Sequence, residues 1–188
     1  NQIDHLNANF EMSFRTIKNL VGNNAVLIQY PIKLDGAQCI VDVLKMKCYK
    51  FGPEGGKPEK LPIPEDQLEK ANTLHNELVE KAAENDEDLM ELFFEKGTLN
   101  EDEMRLGIQK GMLNHELFPV FCVSALNDMG SGRLMGFIDN VAPAAADLKP
   151  EQSLEGNEIK CLSTEPTALF IFKTYHEPNL GQVTFFKV

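Results

Sequence analysis

No Cys-x-x-Cys pair occurs in the chain. Its four cysteines, Cys39, Cys48, Cys122 and Cys161, are scattered, and its four histidines do not gather near them. That distribution argues against a metal site and fits buried or idle thiols in a reducing, cytoplasmic compartment. No apolar run approaches the length of a membrane span, so no membrane partner is expected. Residues 1–15 alternate polar and apolar side chains and lack a small-residue cleavage site, so no signal peptide is expected. Basic residues are few: 18 Lys and Arg face 29 Asp and Glu, for a net charge of −11. A segment this acidic does not itself clamp phosphate backbones, although it could belong to a nucleic-acid machine and face solvent or a protein partner. No Ser/His/Asp or Cys/His set stands out. The stretch GPEGGKPEK (52–60) has the glycines of a phosphate loop but not their spacing, and Pro58 replaces the required Ser or Thr. It reads as a surface loop or hairpin tip, and no catalysis is expected from these residues.

What is present is ordinary globular composition, 43% apolar and 25% charged, enough for one large or two small cores. Phe10, Phe14, Ile17 and Val21 recur at helical spacing over 6–21, with Asn7 as N-cap and Gly22 as the stop. AVLIQYPI (25–32) and AQCIVDVLKMKCYKF (37–51) read as strands joined by a turn at Leu34-Asp35-Gly36. Pro62 and Pro64 hold the chain extended before a helix over 65–84, with Leu68, Ala71, Leu74, Leu78 and Ala82 on its core side. A short helix over 86–95 turns Leu89, Leu92 and Phe93 inward, and another over 100–109 starts in an Asn100/Glu103 capping box. ELFPVFCVSA (116–125) reads as a buried strand, and 130–141 as a helix with Leu134, Phe137, Ile138 and Val141 inward. Residues 142–157 read as a linker. The segments IKCLSTEP, TALFIFKTYHE and GQVTFFKV read as three strands of a meander, with a turn at 178–181. Its open edges suggest a sheet that continues in a longer protein.

The order of these stretches resembles elongation factor G, a family of translational GTPases that drive ribosomal translocation. NQIDHLNANF is similar to the family's guanine-recognition motif, usually Asn-Lys-x-Asp, and the helix after it. QYPIKLDGAQCIVDVLKMKCYKF is similar to the strands that open a subdomain inserted into the GTPase fold. The most specific stretch runs from LPIPEDQLEKANTLHNELVEK through ENDEDLME and LNEDEMRLGIQKG to PVFCVSA. STEPTALFIFKTYHEPNLGQVTFFKV is similar to the first strands of the β-barrel that follows. The resemblance implies a fragment of mixed α+β and α/β class: the C-terminal part of an incomplete P-loop-type GTPase core (1–23 and 116–146), an inserted α+β subdomain (24–115), a linker (147–157) and the start of a β-barrel (158–188). The chain opens with Asn-Gln-Ile-Asp rather than Met, as expected if it begins inside the base-recognition loop. The P-loop, the switch regions and the Mg²⁺ ligands would then lie upstream.

Guanine is told from adenine by a ring N–H and an exocyclic NH₂ on one edge, which match the two acceptor oxygens of an ionised carboxylate. Asp4 is the residue in register. The resemblance implies that Asn1 ties this loop to the rest of the site and contacts the other edge of the base. Without the resemblance, an Asx turn capping the next helix explains Asn-x-x-Asp equally well. Ser124-Ala125 is similar to the second guanine-contacting turn, whose backbone N–H groups meet the purine carbonyl; a plain strand-to-helix turn is the alternative. Two family lysines that pack along base and sugar are replaced, by Gln2 and Leu126. Their loss suggests a divergent relative with weakened or altered nucleotide dependence. GTP or GDP is the cofactor implied for the parent, and none is expected on the fragment.

Between Glu84 and Glu103 stand nine acids and one lysine, a run that is either a solvated face or a docking surface. The resemblance implies the ribosome, including its stalk protein, as partner. A ribosomal-protection or release-factor GTPase relative and a stand-alone acidic interaction module are the alternatives. Phe10, Phe14, Phe118 and Phe121 are expected to lack their natural cover, so self-association through exposed core surface is also expected.

Overall fold

Asn9, not Asn7, starts the first helix: its side chain accepts the Met12 N–H at 2.9 Å. Residues 5–8 instead fold as a short turn, with the Ala8 N–H on the His5 carbonyl. The computed structural model describes residues 1–188. Helix α1 (Phe10–Val21) ends at Gly22, whose φ of 68° suits glycine. Two strands follow, β1 (Ala25–Leu27) and β2 (Gln29–Leu34).

The single strand expected over 37–51 is two, β3 (Ala37–Asp42) and β4 (Lys47–Gly52). The break has a local cause. Buried Asp42 accepts the Lys45 N–H at 2.8 Å, and Met46 takes a positive φ of 50°, which closes a tight turn without glycine or proline. The stretch 52–60 is more than a loop. Only Pro53 and Glu54 lie between the strands, and Gly55–Leu61 form β5. Pro58 is tolerated there because β5 is an edge strand of the antiparallel sheet β2-β3-β4-β5.

Against this sheet stand α2 (Glu65–Ala83), α3 (Glu87–Lys96) and α4 (Glu101–Leu113). The Asn100/Glu103 capping box forms as expected, with bonds of 2.7 and 2.9 Å. On α2, Leu68 is exposed, while Val79 and Ala83 join Ala71, Leu78 and Ala82 in the core. The helices α2 and α4 approach closely at Gly107, where a Cβ would lie 2.2 Å from the Ala82 carbonyl oxygen. One buried cluster unites Tyr30, Val41, Leu78, Met104, Ile108 and Leu117.

The strand expected over 116–125 shrinks to β6 (Phe118–Val120), which pairs in parallel with β1 and is only half-buried. Its ladder ends because the Cys122 N–H turns to the Gln29 side-chain oxygen, at 3.3 Å. In α5 (Ser131–Asn140), Phe137 is buried with neighbouring Val141, but Ile138 is exposed.

The chain divides into two compact units, Asn1–Pro143 and Ala144–Val188. In the second, the expected three-stranded meander is replaced by two separate pairs. Glu151–Gln152 (β7) pair with Glu158–Ile159 (β8), and β9 (Phe170–Glu177) forms a hairpin with β10 (Gly181–Lys187). No barrel closes. The whole is mixed α+β, with five helices, a small parallel pair and a four-stranded antiparallel sheet. No helix is long and apolar enough to cross a membrane.

Candidate functional site

Residues 1–4 and 123–127 lie side by side, though far apart in sequence. The Ile3 N–H donates to the Val123 carbonyl at 3.3 Å, and the Asn1 Oδ1 accepts the Ala125 N–H at 3.1 Å. The Asn127 amide donates to the Asp4 carboxylate. The 124–129 turn closes on itself: Ser124 and Met129 exchange both backbone bonds, at 2.8 and 2.9 Å, and the Asn127 N–H reaches the Ser124 hydroxyl at 3.4 Å.

The electrostatics favour a charged Asp4. The Ser124 hydroxyl beside it, a backbone N–H of its own loop and the Asn127 amide hold its carboxyl below the ordinary value, against a smaller opposing effect of burial. Asp4 is half-buried and Ser124 is buried, whereas Asn1, Gln2, Ala125 and Leu126 are exposed. Gln2 adopts a positive φ of 63°, and the Leu126 side chain is 89% exposed. All six candidate residues therefore belong to two adjoining loops that present one fixed carboxylate and an exposed backbone turn. Asn127 escapes the sequence reading, because a lone asparagine in a loop carries no spacing signal.

The position of the second loop is fixed from below. The Asp42 carboxylate, wholly buried, pairs with Arg133 Nε of α5 at 2.6 Å and lies 3.5 Å from the Gln29 side-chain nitrogen. The Gln29 oxygen accepts the Cys122 N–H, and the Cys122 thiol donates to the Gln29 carbonyl at 3.4 Å. Sheet, loop and α5 are thus joined through one buried polar network, which suits a fixed loop better than a mobile one.

A groove of ≈ 480 Å³ runs under α1 and shares Asn1 and Gln2 with these loops; Ile3, Phe10, Phe14, Ile32 and Phe121 also line it. It excludes Asp4, Ser124 and Ala125. Phe10 and Phe14 stack at 6.1 Å and Phe121 packs edge-on against Phe137, so all three are half-buried, as is Phe118. No group of three or more His, Cys, Asp or Glu side chains is placed to share a metal ion. On the acidic helices, Phe94 is 78% exposed among Glu and Asp side chains of α3.

No family model matches the chain. The fold is similar to that in a crystal structure of a protein from Thermus thermophilus, with a TM-score of 0.68 and 18% sequence identity. The match covers 96% of this chain and 25% of that one, so this chain spans a quarter of that protein's length. At such identity the likeness concerns the fold alone.

Proposed function

We propose that this chain is part of an elongation factor G-like translational GTPase acting in ribosomal translocation, and that residues 1–4 with 124–126 are its guanine-recognition loops. The observation that carries the reading is the hydrogen-bonded meeting of Asn1 and Asp4 with the 123–127 turn, across the intervening 24–115 segment. The family resemblance of the ordered motifs supports it. So does the fold's recurrence within a chain four times as long, where the remaining GTPase parts would have room.

In this reading the Asp4 carboxylate accepts the ring N–H and exocyclic NH₂ of guanine, and the exposed 125–126 turn faces the purine carbonyl. An ionised carboxylate has about four acceptor positions, so the Asn127 amide can hold Asp4 while guanine bonds it. The stem of Gln2 and the apolar Leu126 side chain replace two lysines along base and sugar, which weakens nucleotide binding. The phosphates and Mg²⁺ are held by other parts of the parent protein. The four-stranded sheet and α2–α4 form the inserted subdomain, β9 and β10 belong to the β-barrel, and the exposed acids and Phe94 of α3 are offered to the ribosomal stalk.

The test uses the protein encoded by the complete reading frame that contains this chain. GDP should bind in preference to ADP. Asp4→Asn replaces one acceptor oxygen with a donor, so it should lose GDP and gain xanthosine diphosphate, whose C2 carbonyl accepts. Equal binding of GDP and ADP would overturn the proposal.

A further inference from the structure

Gly55 and Gly56, at the tip of the β4–β5 hairpin, touch the backbone of the 124–129 turn. The Gly56 N–H donates to the Asp128 carbonyl at 3.2 Å. At Gly55 the approach is closer still: a Cβ would lie 1.5 Å from the Asn127 carbonyl oxygen and 2.7 Å from its carbon. No flexible side chain is available to give way, since both atoms are backbone. Gly55 also has a φ of 74°, which an L side chain adopts only with strain. The same Asn127 donates its side-chain amide to Asp4. A continuous contact therefore runs from the hairpin tip, through one residue, to the carboxylate.

We infer that the β4–β5 tip positions the base-recognition loop: Gly55 seats the Asn127 backbone, and Asn127 orients Asp4. This rests on the reading of Asp4 as the base acceptor and adds two positioning residues to it, neither of which touches the base. It also assigns the four-stranded sheet a part in nucleotide recognition.

The controls come from the same sheet. Gly36 has a φ of 79° but nothing within 4 Å of its Cβ position, so Gly36→Ala carries the backbone strain without the collision. Gly52, in the same hairpin, has open space and an ordinary φ. In this chain, the Asp4 carboxyl titration and the Asn127 side-chain resonances are followed by NMR, with the thermal midpoint as the control for folding. Gly55→Ala should move the Asn127 resonances and raise the Asp4 midpoint toward the ordinary carboxylate value. Gly36→Ala should lower the thermal midpoint alone, and Gly52→Ala should change neither. If Gly55→Ala does not fold, Asn127→Ala carries the test, since it removes the donor and should raise the Asp4 midpoint. An unmoved Asp4 midpoint in the folded Gly55→Ala, or in Asn127→Ala, overturns the inference.

In the protein from the complete reading frame, Asn127→Ala should raise the GDP dissociation constant by about tenfold or more, the scale of one hydrogen bond to a charged group. An unchanged constant overturns the link to recognition. Failure of the wild-type protein to bind GDP sinks the proposed function itself, while the Asp4 titration still decides whether the tip positions the loop.

Discussion

Replacing Arg133 with methionine removes the only charged partner of a carboxylate that has no exposed surface. Asp42 is 0% exposed and its Arg133 partner only 16%, and they meet at 2.6 Å. The Lys45 N–H and the Gln29 amide would remain, two neutral donors for a full charge. Breaking a buried pair from one side costs about 3–5 kcal/mol, because the remaining charge keeps its desolvation penalty. That is a large part of a domain's ~5–15 kcal/mol. All five helices lie in the first unit, so ellipticity at 222 nm reports its unfolding. With a urea slope of roughly 2 kcal/mol per molar, the midpoint for Arg133→Met should fall by about 2 M. Adding Asp42→Asn to that variant keeps an acceptor for the Lys45 N–H and removes the stranded charge, so the double variant should recover part of the loss. A cost for Arg133→Met below about 1 kcal/mol, the scale of an exposed ion pair, would refute the buried network.

Gly107→Ala should destabilise despite about 1 kcal/mol of gained helix propensity. The new Cβ would sit 2.2 Å from a backbone oxygen of α2, where ordinary contact begins at 3.4 Å, so α2 and α4 must separate by about 1 Å. A higher thermal midpoint would contradict this packing. Of the four cysteines, only Cys161 should react with a disulfide reagent at pH 8 in the folded chain. Burial pushes the Cys48 thiol up to about 11 and Cys122 up to about 12, and raises Cys39 as well, while Cys161 is exposed. Release of more than one equivalent without unfolding would contradict it. Asp86 is held below the ordinary carboxylate value, first by the Lys110 ammonium it bonds and then by the Leu89 N–H that it caps. A depressed folded value stabilises above the unfolded pKa of about 3.9 and is lost as pH falls through the folded value. Asp86→Asn, which keeps the cap but not the charge, should therefore show a shallower loss of stability below about pH 4; an unchanged acid profile would argue against the ion pair.

The helices were the most legible part of the sequence. Asn100 and Glu103 signal their capping box three residues apart, and Gly22 marks its stop, because caps are local chemistry. The strands were less so. The 37–51 run is largely apolar, and the turn that cuts it depends on Asp42, whose buried charge is paired by Arg133 from 91 positions away. Period-two alternation over IKCLSTEP predicts a strand, but of that run only Ile159 pairs, beside Glu158, since strand pairing depends on a partner that alternation does not specify. In the candidate site, Asn1, Asp4, Ser124 and Ala125 could be found by motif. Asn127 and Gly55 could not, because their roles arise from a backbone contact between distant loops.

In the proposed function, the Asn1–Asp4 loop and the 124–126 turn select guanine. The most direct measurement is competition of GDP and ADP for the protein from the complete reading frame, with Asp4→Ala as the control. GDP should win, at an affinity weaker than nanomolar because Gln2 and Leu126 replace two lysines, and Asp4→Ala should abolish the preference. Equal affinities for the two nucleotides, or a guanine preference that survives Asp4→Ala, would contradict it.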